Sequence, residues 1–148
     1  MENKANYAID NFDCGFNCSQ AVFSAFCEEL GLNKKIALKI ACSFGGGMAL
    51  GEVCGAVTGA FLVLGLKYGN NDPEDKFSKA KNRLLNRDFT ARFRKLHGYI
   101  TCKELLNYDI TDDKQLNAAR QSGIFKTKCP NYVRDTVLLL EEIIAENT

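Results

Sequence analysis

The chain has 148 residues, 46% hydrophobic and 25% charged, with two prolines and a formal net charge of +1. At about 100–200 residues per domain this is a single domain spanning 1–148 with a core of its own, and the composition excludes disordered, collagenous and low-complexity classes. Near-neutral charge excludes a surface given over wholly to nucleic acid or anionic lipid.

The periodicities along the chain are helical, and no stretch alternates polar with apolar residues for long enough to make a strand. This predicts an all-α single-domain bundle of about five to seven helices. The opening MENKANYAIDNFDCG lacks the apolar run of a signal peptide, so a cytoplasmic location is expected. A first helix is predicted from about Cys18 to Leu30, with Val22, Phe23, Phe26, Cys27 and Leu30 as its apolar stripe and Gly31 closing it. A second covers roughly Lys34 to Cys42, with Ile36, Ile40 and Ala41 inward. Gly45-Gly46-Gly47 then breaks the helical pattern.

From Cys42 to Leu66 the only charge is Glu52, a length that would span a bilayer. The glycine-rich first half makes a poor helix in lipid, and a buried core helix is expected, with no membrane partner. That helix, about Cys54 to Tyr68, is apolar all round and carries the small residues Gly55, Ala56, Gly59 and Ala60 on one side, which suits the centre of a bundle. The apolar helices and this small-residue face also suit a homodimer. After the turn Asn70-Asn71-Asp72-Pro73, a long charged helix is predicted from about Glu74 to Leu96, with Pro73 at its first position and His97-Gly98 at its end. A short helix from Cys102 to Leu106, a weaker one near Asp113 to Gln121 and a terminal one from about Pro130 to Ala145 follow. In the last, Val133, Val137, Leu140 and Ile144 form the core stripe.

Seven cysteines in 148 residues are too few for a disulfide-stapled scaffold, and an odd number cannot pair completely. Cys27 and Cys42 lie on the apolar faces of the first two helices and are expected as core filler. Four others fall at helix starts. Asn17 caps the helix that Cys18 opens, and Thr101 with Glu104 forms a T-x-x-E capping pattern before Cys102. Cys129 would cap a helix beginning at Pro130, and Cys54 opens the apolar helix. Unsatisfied N–H groups and the positive end of the helix dipole favour an anion at such positions, so a thiol there is acidified, and thiolate is the form that attacks disulfides or ligates metal. Converging thiolates repel unless a cation sits among them, and a tetrathiolate set suits an iron–sulfur cluster or zinc. No C-x-x-C occurs, so zinc ribbons, thioredoxin-type dithiols and ferredoxin runs are excluded, as is C-x-x-C-H haem attachment.

The stretch FGGGMALGEVCGAVTGA, with NCSQAVFSAF upstream, resembles the C-GCAxxG-C-C family of redox-active proteins. The resemblance implies a four-cysteine pattern: Cys18 upstream, the motif Cys54-Gly55-Ala56-Val57-Thr58-Gly59, and Cys102 and Cys129 downstream. Cys14, Cys27 and Cys42 lie outside it. The family is similar in part to the segment that accompanies the haem portion of split-Soret cytochromes, which implies an iron–sulfur centre on those four cysteines. Alternatives are a thiol/disulfide redox protein without metal and a zinc-stapled interaction module.

The remaining signals are secondary. The glycine run does not fit G-x-G-x-x-G and lacks a following Gly-Lys-Ser/Thr. Its expected role is close approach of backbone at Gly46, Gly47 and Gly55 to the cysteine site, with N–H groups donating to sulfur. Between Lys76 and Lys95 eight basic residues stand against Asp88 alone. This is either a solvated helix face or a docking surface for an acidic redox partner; nucleic acid is not expected, for want of an aromatic platform. His97, the single histidine, sits where a cation at a helix C-terminus is ordinary electrostatics, and could also relay a proton or bind a metal.

Overall fold

In the computed structural model of the chain, which describes residues 3–148, the first helix is one that the apolar pattern does not announce. α1 (Lys4–Asp13) is capped by the Asn3 side chain, which accepts from Asn6 N at 3.2 Å, and it buries only Ala5 and Ala8. Two alanines make too faint a stripe to read from periodicity.

The fold is all-α, as expected, and an isolated Val53–Thr101 bridge is the one β-type contact among the described residues. α2 (Cys18–Ser24) stops short of the predicted end at Leu30. The Ser24 hydroxyl donates to Ala21 O at 3.1 Å, competing for the backbone there, and Ala25 and Phe26 then bond three residues back in tightened turns. The stripe still works, because Val22, Phe23, Phe26 and Cys27 are buried and Leu30 is half-buried.

α3 (Lys34–Cys42) differs more from expectation. Ala37 and Ala41 face inward, while Ile36 and Ile40 are 52% and 43% exposed and Cys42 is exposed too, so Cys42 is not core filler. The contact with α2 is close and polar. With only alanines between the helices, Gln20 Nε2 reaches Leu38 O at 2.9 Å and Asn17 Nδ2 reaches Cys42 O at 3.0 Å, which leaves the two isoleucines on the outside.

α4 (Gly55–Tyr68) is buried through Ala60, with α2 lying directly across its small-residue face. A Cβ at Gly59 would stand 3.0 Å from both Ser19 O and Val22 Cβ, so the two backbones meet there. Asn70–Asp75 forms the turn into α5 (Lys76–His97). The cap is Asp75, whose side chain accepts from Ser78 N at 3.0 Å, and Pro73 belongs to the turn and not to the helix start. α5 buries Leu85, Phe89 and Phe93 against α4 and α9 (Cys129–Glu146), and Phe61, Phe89 and Phe93 form an aromatic spine between them. α9 also packs on α1 and α2, burying Val133, Val137, Leu140 and Ile143. Between α5 and α9 run α6 (Cys102–Leu106), α7 (Asp113–Ser122) and α8 (Ile124–Thr127). No helix among the described residues is long and apolar enough to cross a membrane.

Candidate redox centre

Three helix starts, those carrying Cys18, Cys54 and Cys102, lie beside the glycine-rich connection between α3 and α4, and the start of α9 with Cys129 is near enough to be perturbed by their charge. Cys18 is the first residue of α2, below a reciprocal cap in which Gln20 N donates to Asn17 Oδ1 at 2.9 Å and Asn17 N donates to Gln20 Oε1 at 3.0 Å. Cys102 opens α6, capped by Thr101 Oγ1, which accepts from Glu104 N at 3.2 Å and donates to the Glu104 carboxylate at 2.8 Å. The other two are each displaced by one position from expectation. Cys54 is the cap of α4 and not its first turn, and Cys129 is the first residue of α9, with Pro130 second and Lys128 as the cap.

The glycine connection holds two of the four in register. Gly46, Gly47, Met48 and Ala49 all have φ near 61°, a turn of left-handed helix, and Gly51 follows at 70°. For Met48 and Ala49 this costs about 1–2 kcal/mol each. Gly47 is required on a second count, because a Cβ there would overlap the backbone of Glu52. The turn delivers residues 52–54 alongside residues 100–102: Cys54 N donates to Ile100 O and Cys102 N donates to Glu52 O, both at 2.7 Å, around the Val53–Thr101 bridge. Since successive side chains of an extended segment alternate, Cys54 and Cys102 share the face opposite Val53 and Thr101.

Gly55 brings in the third thiol. The sulfur of Cys18 occupies the space that a Cβ at Gly55 would fill, with Gly45 Cα and Phe44 O close behind. Thr58 ties this corner down by donating to Phe44 O at 2.8 Å. Cys18 and Cys54 are neighbours whose thiols interact, the Cys54 S–H directed toward the Cys18 thiolate. That donation, helped by the backbone N–H groups of Gly46 and Ser19 and opposed by burial, lowers the Cys18 thiol from 9.0 to about 7. The same contact holds the proton on Cys54, whose pKa is raised well above the ordinary value, with burial and the neighbouring negative charge adding to it. One pair thus has a ready thiolate and a retained proton.

Cys102 and Cys129 complete the group. Burial, and then the negative charge of Cys18, pushes Cys102 up to about 11; burial, then Cys18 and Cys102, pushes Cys129 up to about 12. Cys54 and Cys102 are buried, and Cys18 and Cys129 are half-buried. Tyr132, one turn beyond Cys129, closes the inner side. Its hydroxyl donates to Leu105 O at 3.3 Å, and burial followed by the charges of Cys129, Cys54 and Cys102 raises it to about 12. The sequence offered one signal for Tyr132, an aromatic three residues after a motif cysteine.

The other singled-out residues stand apart. Cys27 is fully buried, its thiol donating to Ser24 O at 3.6 Å, and burial pushes its pKa up. Cys14 is exposed and donates to Asn11 O at 3.4 Å, and Cys42 contributes only its carbonyl, to Asn17. Of the glycines, the Gly46 N–H helps to lower the Cys18 pKa and Gly55 makes room for its sulfur, whereas the contact of Gly47 is with Glu52. His97 lies edge-on to Tyr132, with centroids 4.9 Å apart, and its Nε2 is 3.0 Å from Asp135 Oδ2, off the line of a hydrogen bond.

The donor set is four sulfurs, two of them with backbone N–H groups that favour the anionic form, which fits the soft-ligand chemistry of an iron–sulfur cluster or zinc. Among the described residues no three Cys, His, Asp or Glu side chains are gathered tightly enough to hold an ion as they stand, so side-chain rotation would be needed to close around one. Cys18 and Cys54, an acidified thiol beside one that keeps its proton, are the pair of the four whose properties suit dithiol chemistry.

No curated protein and no solved structure matches the chain. Residues 16–143 match the family described as "Putative redox-active protein (C_GCAxxG_C_C)", a span that contains all four cysteines of the centre, and the chain belongs to that redox-active family.

Proposed function

We propose that Cys18, Cys54, Cys102 and Cys129 hold an iron–sulfur cluster and that the protein is a single-electron carrier. The observation that supports this is the number and placement of the thiols. Four elements far apart in sequence each carry one cysteine, the four thiols perturb one another's charge, and four is the ligand number of a cysteine-bound cluster. When bound, the cluster supplies one-electron chemistry. The chain's own residues do the rest. N–H groups of Gly46, Ser19, Ala56 and Val57 stabilise anionic sulfur, which raises the potential, and Tyr132 with the buried faces of α6 and α9 excludes water.

The Cys18–Cys54 contact favours a second reading, a thiol/disulfide protein. The Cys18 thiolate would attack a substrate disulfide, breaking its S–S bond and releasing one substrate thiol. Cys54 would then give up its proton and attack Cys18 sulfur, releasing the second thiol. Two electrons pass to the substrate, and the pair is left as a disulfide.

Anaerobic purification with iron, sulfide and zinc analysis and a visible spectrum separates these. Brown protein with iron and acid-labile sulfide, lost in Cys54→Ser and Cys102→Ser and kept in Cys42→Ser, supports the cluster. Colourless protein with stoichiometric zinc supports the zinc-stapled alternative. Metal-free protein that resists reconstitution, yet forms a Cys18–Cys54 disulfide on oxidation, supports the dithiol.

A further inference from the structure

We propose that the solvent face of α5 is the docking surface for an acidic partner protein; that the partner is a redox protein rests on the function proposed above, while the docking does not. The helix carries eight cations and one acid between Lys76 and Lys95, a local +7 in a chain of +1, which leaves −6 for everything else. The one acid adds nothing to the outer face. Asp88 is held by Arg92 at 2.9 Å, and the same arginine also binds Glu142 and Glu146 of α9. Among the described residues none of Lys76, Lys79, Arg83, Arg87, Arg94 and Lys95 is in an ion pair, and all six are exposed.

A solvated face would need nothing more than charge. This one also carries an apolar seam. Phe77 and Leu84 are 77% and 63% exposed, and with exposed Ala91 they recur every seven residues, so they line one stripe of the helix within the basic field. Beside Ala91 an open groove of about 350 Å³ is lined by Phe61, Asn86, Thr90 and the two arginines Arg87 and Arg94, which stand two turns, about 10.5 Å, apart. An apolar strip with a charged rim is the pattern of a protein interface. A polyanion such as RNA would satisfy the charges but leave the seam in water, and the −6 remainder would repel its flanks. An acidic protein of limited footprint meets the cations and covers the seam, and the opposed charge of the rest of the molecule orients its approach.

The inner side of the same helix reaches the thiols. Phe93 and His97 contact Tyr132 at centroid distances of 6.1 and 4.9 Å, and Tyr132 is near enough to be perturbed by the charges of Cys129, Cys54 and Cys102. A partner seated on the outer face near Arg94 is thus one helix thickness and one ring from the centre.

The test is binding of a fluorescein-labelled, strongly acidic flavodoxin to the full chain, followed by anisotropy at low and high salt, with circular dichroism on each variant. R87E/R94E is expected to weaken binding about tenfold or more at low salt and to flatten its salt dependence, L84S to weaken it at every salt, and K35E/K39E on α3 to leave it unchanged. Absence of salt-sensitive binding, or equal loss in K35E/K39E, overturns the proposal. Tighter binding of a duplex RNA of matched charge, or self-association at low salt that R87E/R94E abolishes, overturns it in favour of nucleic acid or of a second copy. Electron transfer from the reduced flavodoxin is followed separately by stopped flow, so loss of the redox reading shows as intact binding without transfer.

Discussion

Replacing Gly55 with alanine places two opposed effects on one methyl group. In a helix alanine is favoured over glycine by about 1 kcal/mol, and Gly55 is the first residue of α4. The new Cβ, however, would fall on the sulfur of Cys18, 2.9 Å from Gly45 Cα and 3.3 Å from Phe44 O. Two of these three obstacles are backbone and cannot rotate away, so the overpacking cost of about 1–3 kcal/mol applies, and the net expectation is a loss of up to about 2 kcal/mol. Each kcal/mol lowers the Tm of a domain this size by about 2–4 °C. The displaced sulfur should also part from Cys54, so the acidity of Cys18 falls. Gly65, in the same helix, has nothing within 4 Å of its added Cβ, and Gly65→Ala should stabilise by about 0.5–1 kcal/mol. Urea unfolding of the reduced, metal-free proteins, with iodoacetamide trapping of Cys18 read by peptide mass spectrometry, measures both quantities. A Gly55→Ala protein as stable as wild type, with an unchanged Cys18 profile, would refute the account of how this corner is built.

Other outcomes follow from the same geometry. In reduced, metal-free protein the alkylation rate of Cys18 should rise with a midpoint near pH 7, while Cys102 and Cys129 stay slow until strongly alkaline pH, as peptide mapping will show. The depressed Cys18 pKa adds stability that is complete above pH 9.0 and gone below about 7; the raised Cys54, Cys102 and Cys129 take stability away above 9.0. The urea midpoint should therefore climb from pH 7 to 9 and then fall, and a midpoint flat across that range would count against the thiol pair. Met48→Gly and Ala49→Gly remove left-handed strain, and after the entropy cost of glycine each should stabilise by about 0.5–1 kcal/mol in thermal unfolding. Arg92→Ala breaks the links from α5 to Glu142 and Glu146 and should cost up to about 1 kcal/mol, less at high salt.

What was legible in the sequence was mostly what depends on near neighbours. Asn17 before Cys18 and Thr101 before Cys102 are caps in the structure because a cap needs only residues three apart. The all-α class and the central small-residue helix were legible for the same reason. Misplaced features depended on what lay opposite. Ile36 and Ile40 read as inward because they are large and apolar, but α3 approaches α2 through Ala37 and Ala41, and the larger side chains would have held the helices apart. α1 was missed because two alanines bury too little to make a pattern. At the centre, helix-start context and the family resemblance named the four cysteines but not their inequality. The acidity of Cys18 beside a protonated Cys54 arises from a contact between residues 36 positions apart, made possible by the missing side chain of Gly55. Tyr132 and the His97–Asp135 contact likewise exist only once α5 and α9 are packed.

The single bridge between Val53 and Thr101 bears on when the centre comes into being. It joins positions 48 residues apart, with the whole of α4 and α5 between them, so the two backbone bonds that align Cys54 and Cys102 cannot form until that loop has closed. Local helices form within microseconds, whereas so distant a pairing waits on chain search and on the packing of α5. Before that moment the thiols are scattered on separate helices, open to oxidants and unable to act together. Topology therefore makes the alignment of Cys54 with Cys102 a late product of folding, and oxidation of the dispersed thiols during folding is the route by which that alignment is most easily lost.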